Sequence, residues 1–371
     1  MIQLPSSSHW GGIMIVEYIR CKDMKEGDVL ARTLYTDRDR ILLRAGNCLT
    51  NNSIRAIKQY GFKGIYIESE LSDKRLPISI PEPLISDFEC FYIVDLAKKI
   101  IHKTNVIKDR NCPLFYTYRK NLEEKIEEFV DLFYEYEEKG ELLFETEDTR
   151  TFNTWLSYHS LNTCLLSIGM AIKMGLDKKT VYEIGLGGIY HDIGKLFIDW
   201  GLVNKLDPTK SDREILRTHC EHGKILAQHH NFPLPTIYAI WQHHERMDGS
   251  GYPKRLEKDK IQLSAKIVGL ASSFDNLVNY NPFNTDSLMT QKDALERLYA
   301  DSKFDKDCVR ALNEFVCPYP IGTKVKLSNG KEGVVIRNKT GQPLRPMVLC
   351  GRAEILNLAD DPKLLNVVIE E

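Results

Sequence analysis

His191-Asp192-Ile193-Gly194-Lys195, followed downstream by His243-His244-Glu245-Arg246-Met247-Asp248-Gly249-Ser250-Gly251-Tyr252-Pro253, is the text that decides how this chain reads. An adjacent His-Asp pair offers a neutral imidazole and a carboxylate from one helical turn, and the carboxylate has two oxygens with which to bridge two cations. Lys195 lies four residues after His191 and three after Asp192, so on a helix the three share a face. A cation is thereby set where a phosphate oxygen would sit. Gly194 leaves room for close approach at that surface. Eight of the ten histidines fall between His159 and His244, a clustering that favours metal over background.

HDIGK together with HHERMDGSGYP resembles the HD-GYP family, a branch of the HD metal-dependent phosphohydrolases. The resemblance covers Arg150 to Pro318. It implies an all-helical domain with a two- or three-metal centre that hydrolyses cyclic diguanylate. Carried over motif by motif, it implies that His159, His191 and Asp192 serve one metal. Asp192 then bridges to a second metal, held by His219, His243 and His244. Asp192 and Lys195 are the expected catalytic residues, and Lys195, Gly251, Tyr252 and Pro253 the expected substrate contacts. Tyr252 either stacks on a base and shapes the pocket or is only a turn aromatic. Glu245 and Asp248 are expected to orient imidazoles or the glycine-rich loop. The implied cofactors are two divalent transition-metal ions, with iron, manganese and zinc all suiting such donors. His222, His229 and His230 are placed at the surface or behind the ligands.

Three departures from the family pattern mark this chain. Where relatives carry Ala-Asp, it has Ala271-Ser272, and serine is a poor neutral ligand. Trp155 stands where many have a glutamate, which argues against a third metal. The family's phosphate-gripping Asp-Arg-Pro-Tyr-Arg/Lys segment reads Tyr280-Asn281-Pro282-Phe283-Asn284, so two cations are missing. Lys254, Arg255 and Lys266 are the nearby cations that could compensate.

The expected architecture is multidomain and mainly α. An all-helical HD-type metal-binding domain is flanked by a small N-terminal α+β module and a small C-terminal β-rich unit. Residues 1–13 read as a disordered extension, 14–75 as the α+β module and 76–149 as linker and amphipathic helices. Residues 150–318 form the HD-GYP-like domain and 319–371 the β-rich unit, taken to pack on the helices. Asn51 or Asn52 is expected to cap the first helix and Ser211 a later one. A loop is expected from Lys195 to Pro208, and a type I′ hairpin turn at Asn329-Gly330. Leu122, Ile126, Phe129, Val130 and Phe133 make one apolar helix face. That face either packs on its own domain or forms a homodimer contact ahead of the catalytic unit.

With 50 basic and 52 acidic residues the chain has no bulk field to recruit nucleic acid or an anionic membrane. No apolar run reaches the ~20 residues of a membrane span. Nine scattered cysteines without a CxxC pair read as free thiols in a reducing cytoplasm. The functional expectation is a cytoplasmic cyclic-dinucleotide phosphodiesterase giving a linear dinucleotide or GMP. Two alternatives stand beside it: a catalytically degenerate nucleotide sensor or protein-interaction module, and an HD phosphohydrolase for another phosphoester.

Overall fold

The computed structural model describes residues 16–36, 41–60, 62, 64–68, 92, 93, 95, 96, 99, 113–144, 155–279, 288–351 and 354–370. The expected N-terminal extension, the proline-bearing linker after residue 75 and the Tyr280–Asn284 segment lie outside them. The chain divides into two compact units, Leu84–Pro318 and Met1–Pro83 with Tyr319–Glu371.

Short β-branched runs at the start give β1 (Val16–Arg20), β2 (Leu34–Tyr35), β3 (Ile41–Leu43) and β4 (Gly64–Glu68). β1 pairs antiparallel with β4, and β2 with β3. Helix α1 (Asn51–Gln59) presses Ile54 and Ile57 into a small core with Leu30, Leu49 and Ile65. Its cap is Thr50 rather than Asn51 or Asn52. Thr50 and Ser53 exchange side-chain bonds to each other's backbone, a capping box that the two asparagines do not make.

The C-terminal part carries β5 (Lys324–Lys326), β6 (Glu332–Arg337), β7 (Met347–Cys350) and β8 (Glu354–Asn357) in one antiparallel sheet of that order. The hairpin turn is not type I′, which needs two left-handed residues. Gly330 alone has positive φ, +82°, and its N–H donates to the Leu327 carbonyl across Ser328-Asn329. Leu327 and Ile369 add an isolated antiparallel bridge.

The Leu84–Pro318 unit is helical: α2 (Pro113–Glu138), α3 (Trp155–Lys173), α4 (Lys178–Tyr190), α5 (Trp200–Val203), α6 (Lys210–Arg217), α7 (His219–His229), α8 (Leu234–Gln242), α9 (Leu263–Val278), α10 (Gln291–Ala300) and α11 (Lys306–Phe315). The apolar face of α2 is buried in this unit's own core, Leu122, Ile126, Val130 and Phe133 completely. Helix α3 is apolar on nearly every side and therefore lies at the centre. Small residues let its neighbours come close. A Cβ at Gly188 of α4 would stand 2.6 Å from the Cys164 backbone of α3.

Asp177 caps α4 through the Thr180 amide, and Gly175 ends α3 with φ of +71°. Lys195 to Pro208 is not one loop. It holds the end of a 3₁₀ turn (Ile193–Phe197) and then α5, which Asp199 caps through the Leu202 amide. Helix α6 is capped by Thr209 in a box with Asp212, not by Ser211.

Candidate metal centre

Four helix ends meet at the centre. His159 stands on α3, buried, while α4 ends at His191 and hands Asp192 to the 3₁₀ turn. His219 begins α7, and α8 ends into His243-His244. One oxygen of Asp192 and one ring nitrogen from each of His219, His243 and His244 lie within 4.8 Å of one another. His159, His191 and Asp192 make a second group by the same measure. All six residues named from the sequence are thus brought together, with Asp192 shared. His222, His229 and His230 stay outside both groups. Of the two placements expected for it, His230 does not take the surface one; it is buried with its ring 4.3 Å from that of Phe115.

Backbone carbonyls fix the tautomers, because a carbonyl can only accept. His191 Nδ1 lies 2.7 Å from the Gly188 carbonyl, His219 Nδ1 2.6 Å from Leu216, and His243 Nδ1 3.0 Å from Ile240. Each Nδ1 therefore carries the proton, and each Nε2 presents a lone pair inward. For His159 the acceptor is the buried Asp275 carboxylate, 2.6 Å from Nδ1. Asn162 and Asn279 both donate to its other oxygen.

Lone pair then faces lone pair. His159 and His191 place their Nε2 atoms 3.1 Å apart, and His219 and His243 place theirs 3.3 Å apart. No proton remains to lie between the members of either pair. Protonation is opposed by burial, which pushes His191 down to about 4 and His243 and His244 well below the usual imidazole range.

The carboxylate completes the picture. Asp192 Oδ2 accepts from Lys195 Nζ at 2.6 Å, while the buried Oδ1 has no hydrogen-bond partner and lies 3.4 Å from His219 Nε2. Burial alone would raise the Asp192 carboxyl, but Lys195 and the imidazoles hold it well below the usual carboxylate range. An ionised, orphaned oxygen among inward lone pairs fits a cation, and without one it would leave an uncompensated buried charge. The donor set passes the test for metal.

The Lys195 side chain is largely buried, with its ammonium 5.3 Å from the Trp155 ring centroid. Trp155 Nε1 donates to Asn204 Oδ1. Ser272, 4% exposed, places its hydroxyl 3.2 Å from His159 Nε2, the face on which the expected aspartate would have stood.

Beside the centre, Gly249 to Pro253 turn back across α7. Tyr252 stacks on His244 with centroids 4.5 Å apart and planes at 22°. A Cβ at Gly251 would stand 2.4 Å from the His244 carbonyl, so only glycine lets the loop lie so close. Glu245 holds the loop rather than an imidazole, accepting from the amides of Lys254 and Leu256. Asp248 accepts from the Ser250 amide and hydroxyl. A cleft of about 530 Å³, in the size range of small-molecule sites, opens along Gly251, Tyr252 and Pro253. Lys195 is not among its walls, whereas Arg217 and Arg255, unremarked at the first position and only a nearby cation at the second, are. Arg217 reads in sequence as an ordinary basic residue ending a helix, and nothing there shows it lying over Tyr252, 5.1 Å from the ring centroid.

The fold and this centre define a helical domain built around a shared His-Asp cluster whose donors suit a metal. Residues 148–308 match the family model described as HD domain. A cyclic di-GMP phosphodiesterase of Pseudomonas aeruginosa is 29% identical over 54% of this chain and 48% of its own length. A cyclic di-GMP phosphodiesterase of Thermotoga maritima is 32% identical over 51% of each. The chain thus spans about half the length of these curated relatives. A solved HDG"Y"P protein from Bdellovibrio bacteriovorus superposes with a TM-score of 0.51 at 19% identity, over 80% of this chain and 98% of that one. This last likeness concerns the fold. Residues 148–308 are thus similar to HD domains, and the paired motifs of this chain resemble those of the HD-GYP branch. Among the described residues no helix is long and apolar enough to cross a membrane.

Proposed function

We propose that the protein is a cyclic-dinucleotide phosphodiesterase whose two residue groups hold a pair of divalent transition-metal ions. His159, His191 and Asp192 would hold one, and Asp192, His219, His243 and His244 the other. Iron, manganese and zinc all fit imidazole-rich donors with one carboxylate. The observation that carries this reading is the orphaned, buried Oδ1 of Asp192 among imidazoles whose lone pairs face one another. When bound, two such ions supply Lewis-acid charge and a lowered water pKa beside a phosphodiester. The chain's own residues do the rest. Asp275 keeps the proton on His159 Nδ1, so that Nε2 stays a donor to a cation. Lys195 adds positive charge at Asp192, where a phosphate oxygen would be neutralised. Gly251, Tyr252 and Pro253 wall the cleft that receives the remainder of the dinucleotide. The substrate class is supported by the names of the Pseudomonas and Thermotoga relatives.

Metal-reconstituted protein is expected to convert cyclic di-GMP to a linear dinucleotide or GMP, and Asp192→Ala to lose at least roughly a thousandfold in rate. A protein that binds cyclic di-GMP without cleaving it would replace this reading with the nucleotide sensor, which the Ser272 hydroxyl in place of a carboxylate favours. Equal turnover by Asp192→Ala would remove the cluster from catalysis.

A further inference from the structure

A cyclic dinucleotide has two phosphodiesters, and hydrolysis at the metal centre engages one. The other brings a negative charge into the cleft and needs a cation there. Sequence offers Lys254, Arg255 and Lys266, and the structure separates them. Lys254 is tied to Glu221 at 3.0 Å. Lys266, largely buried, is tied to Asp305 at 3.0 Å. Arg217 lines the cleft but is paired with Glu214 at 2.9 Å. Arg255 lines the cleft, is exposed, and among the described residues has no carboxylate partner.

Its backbone is also unusual. Arg255 has φ of +54°, the left-handed region in which a residue with a Cβ is strained and glycine is not. Strain of this kind persists only where the surroundings impose it. Here the cause is visible. The buried Glu245 carboxylate accepts from the Lys254 amide at 2.6 Å with one oxygen and from the Leu256 amide at 2.9 Å with the other. The two clamped amides flank Arg255, so its conformation is set from both sides. Glu245 directly follows His244, which links the placement of Arg255 to the centre.

We infer that Arg255 is a specificity-determining residue that holds the second, uncleaved phosphodiester of a cyclic dinucleotide, with Glu245 as its positioning residue. The inference rests on the phosphodiesterase reading above. A guanidinium suits this task because its planar fork grips two phosphate oxygens at once.

The test compares cyclic di-GMP with bis(p-nitrophenyl) phosphate, which has a single phosphodiester. Arg255→Gly suits the left-handed backbone and so preserves the loop. For cyclic di-GMP it is expected to raise KM roughly ten- to hundredfold while kcat moves by less than about threefold. The loss in kcat/KM on cyclic di-GMP should exceed the loss on bis(p-nitrophenyl) phosphate by about tenfold or more. Arg255→Lys should recover part of the KM effect. An unmoved KM, or equal losses on both substrates, overturns this inference alone. Metal-loaded wild-type protein that cleaves neither substrate overturns the phosphodiesterase reading and this inference with it.

Discussion

At position 272 the chain has a hydroxyl where its relatives' pattern calls for a carboxylate, and the geometry says what that does. Ser272 is buried and meets His159 Nε2, the atom that would donate to a cation. The His159 side of the centre therefore has two imidazoles and a shared carboxylate, with only a weak neutral oxygen beside them. Two divalent ions bring four positive charges, of which Asp192 offsets one. A second carboxylate should tighten the metal on this side. In the absence of metal, the same carboxylate would be buried near Asp275 and costly. Ser272→Asp is thus expected to change sign with metal. It should lower the melting temperature in chelator and raise metal affinity by about tenfold or more when manganese or iron is supplied, read by calorimetry. A variant equally stable with and without metal, binding no tighter than wild type, would show that residue 272 does not face a cation. The residue scale is also where sequence was most informative. The paired motifs named His191, Asp192, His243 and His244 directly, because they are adjacent in the chain. His159 and His219 needed the family resemblance, and the bond between His159 and Asp275 is a contact across more than one hundred positions.

Between elements, the decisive contact is that of the Asp192–Lys195 turn with α7. Gly194 lies so close that a Cβ there would stand 1.9 Å from the His219 carbonyl and 2.6 Å from the Gly223 amide. Both obstacles are backbone and cannot rotate away. Gly194→Ala must therefore separate Asp192 from His219, whose Nε2 is now 3.4 Å from Oδ1. The expected cost is about 1–3 kcal/mol in chemical denaturation, with metal binding weakened alongside. A stability change below about 0.5 kcal/mol would show that the turn and helix have slack. An element with strong periodicity was legible, as with the apolar face of α2. Caps were less so, because Thr50 and Thr209 stand next to other good capping residues and the winner depends on which side chain reaches back from the third helical position. The short helix α5 was hidden because it spans a single turn, capped by Asp199 through the Leu202 amide, and so leaves almost no periodic signal. The Asn329-Gly330 pair suggested the wrong turn because Asn329 keeps an ordinary negative φ there.

For the molecule as a whole, the helical domain is a scaffold that forces buried imidazoles to share one surface with one ionised carboxylate. Burial keeps His191, His219, His243 and His244 neutral at neutral pH, and the carbonyl acceptors on Nδ1 of His191, His219 and His243 point their spare lone pairs inward. An arrangement of this kind would bind cations as part of its own stability, so metal and folding would be linked. The class of site was readable from sequence because its ligands come as motifs. The cleft was not, since Arg217 and Arg255 flank the loop only in three dimensions. Elemental analysis of protein purified under anaerobic conditions and reconstituted with manganese or iron, set beside Asp192→Ala, tests the central claim most directly. Wild-type protein should retain close to two equivalents per chain after removal of free metal, and Asp192→Ala should fall below one, because the shared oxygens are gone. A wild-type protein that remains metal-free after reconstitution would contradict the account.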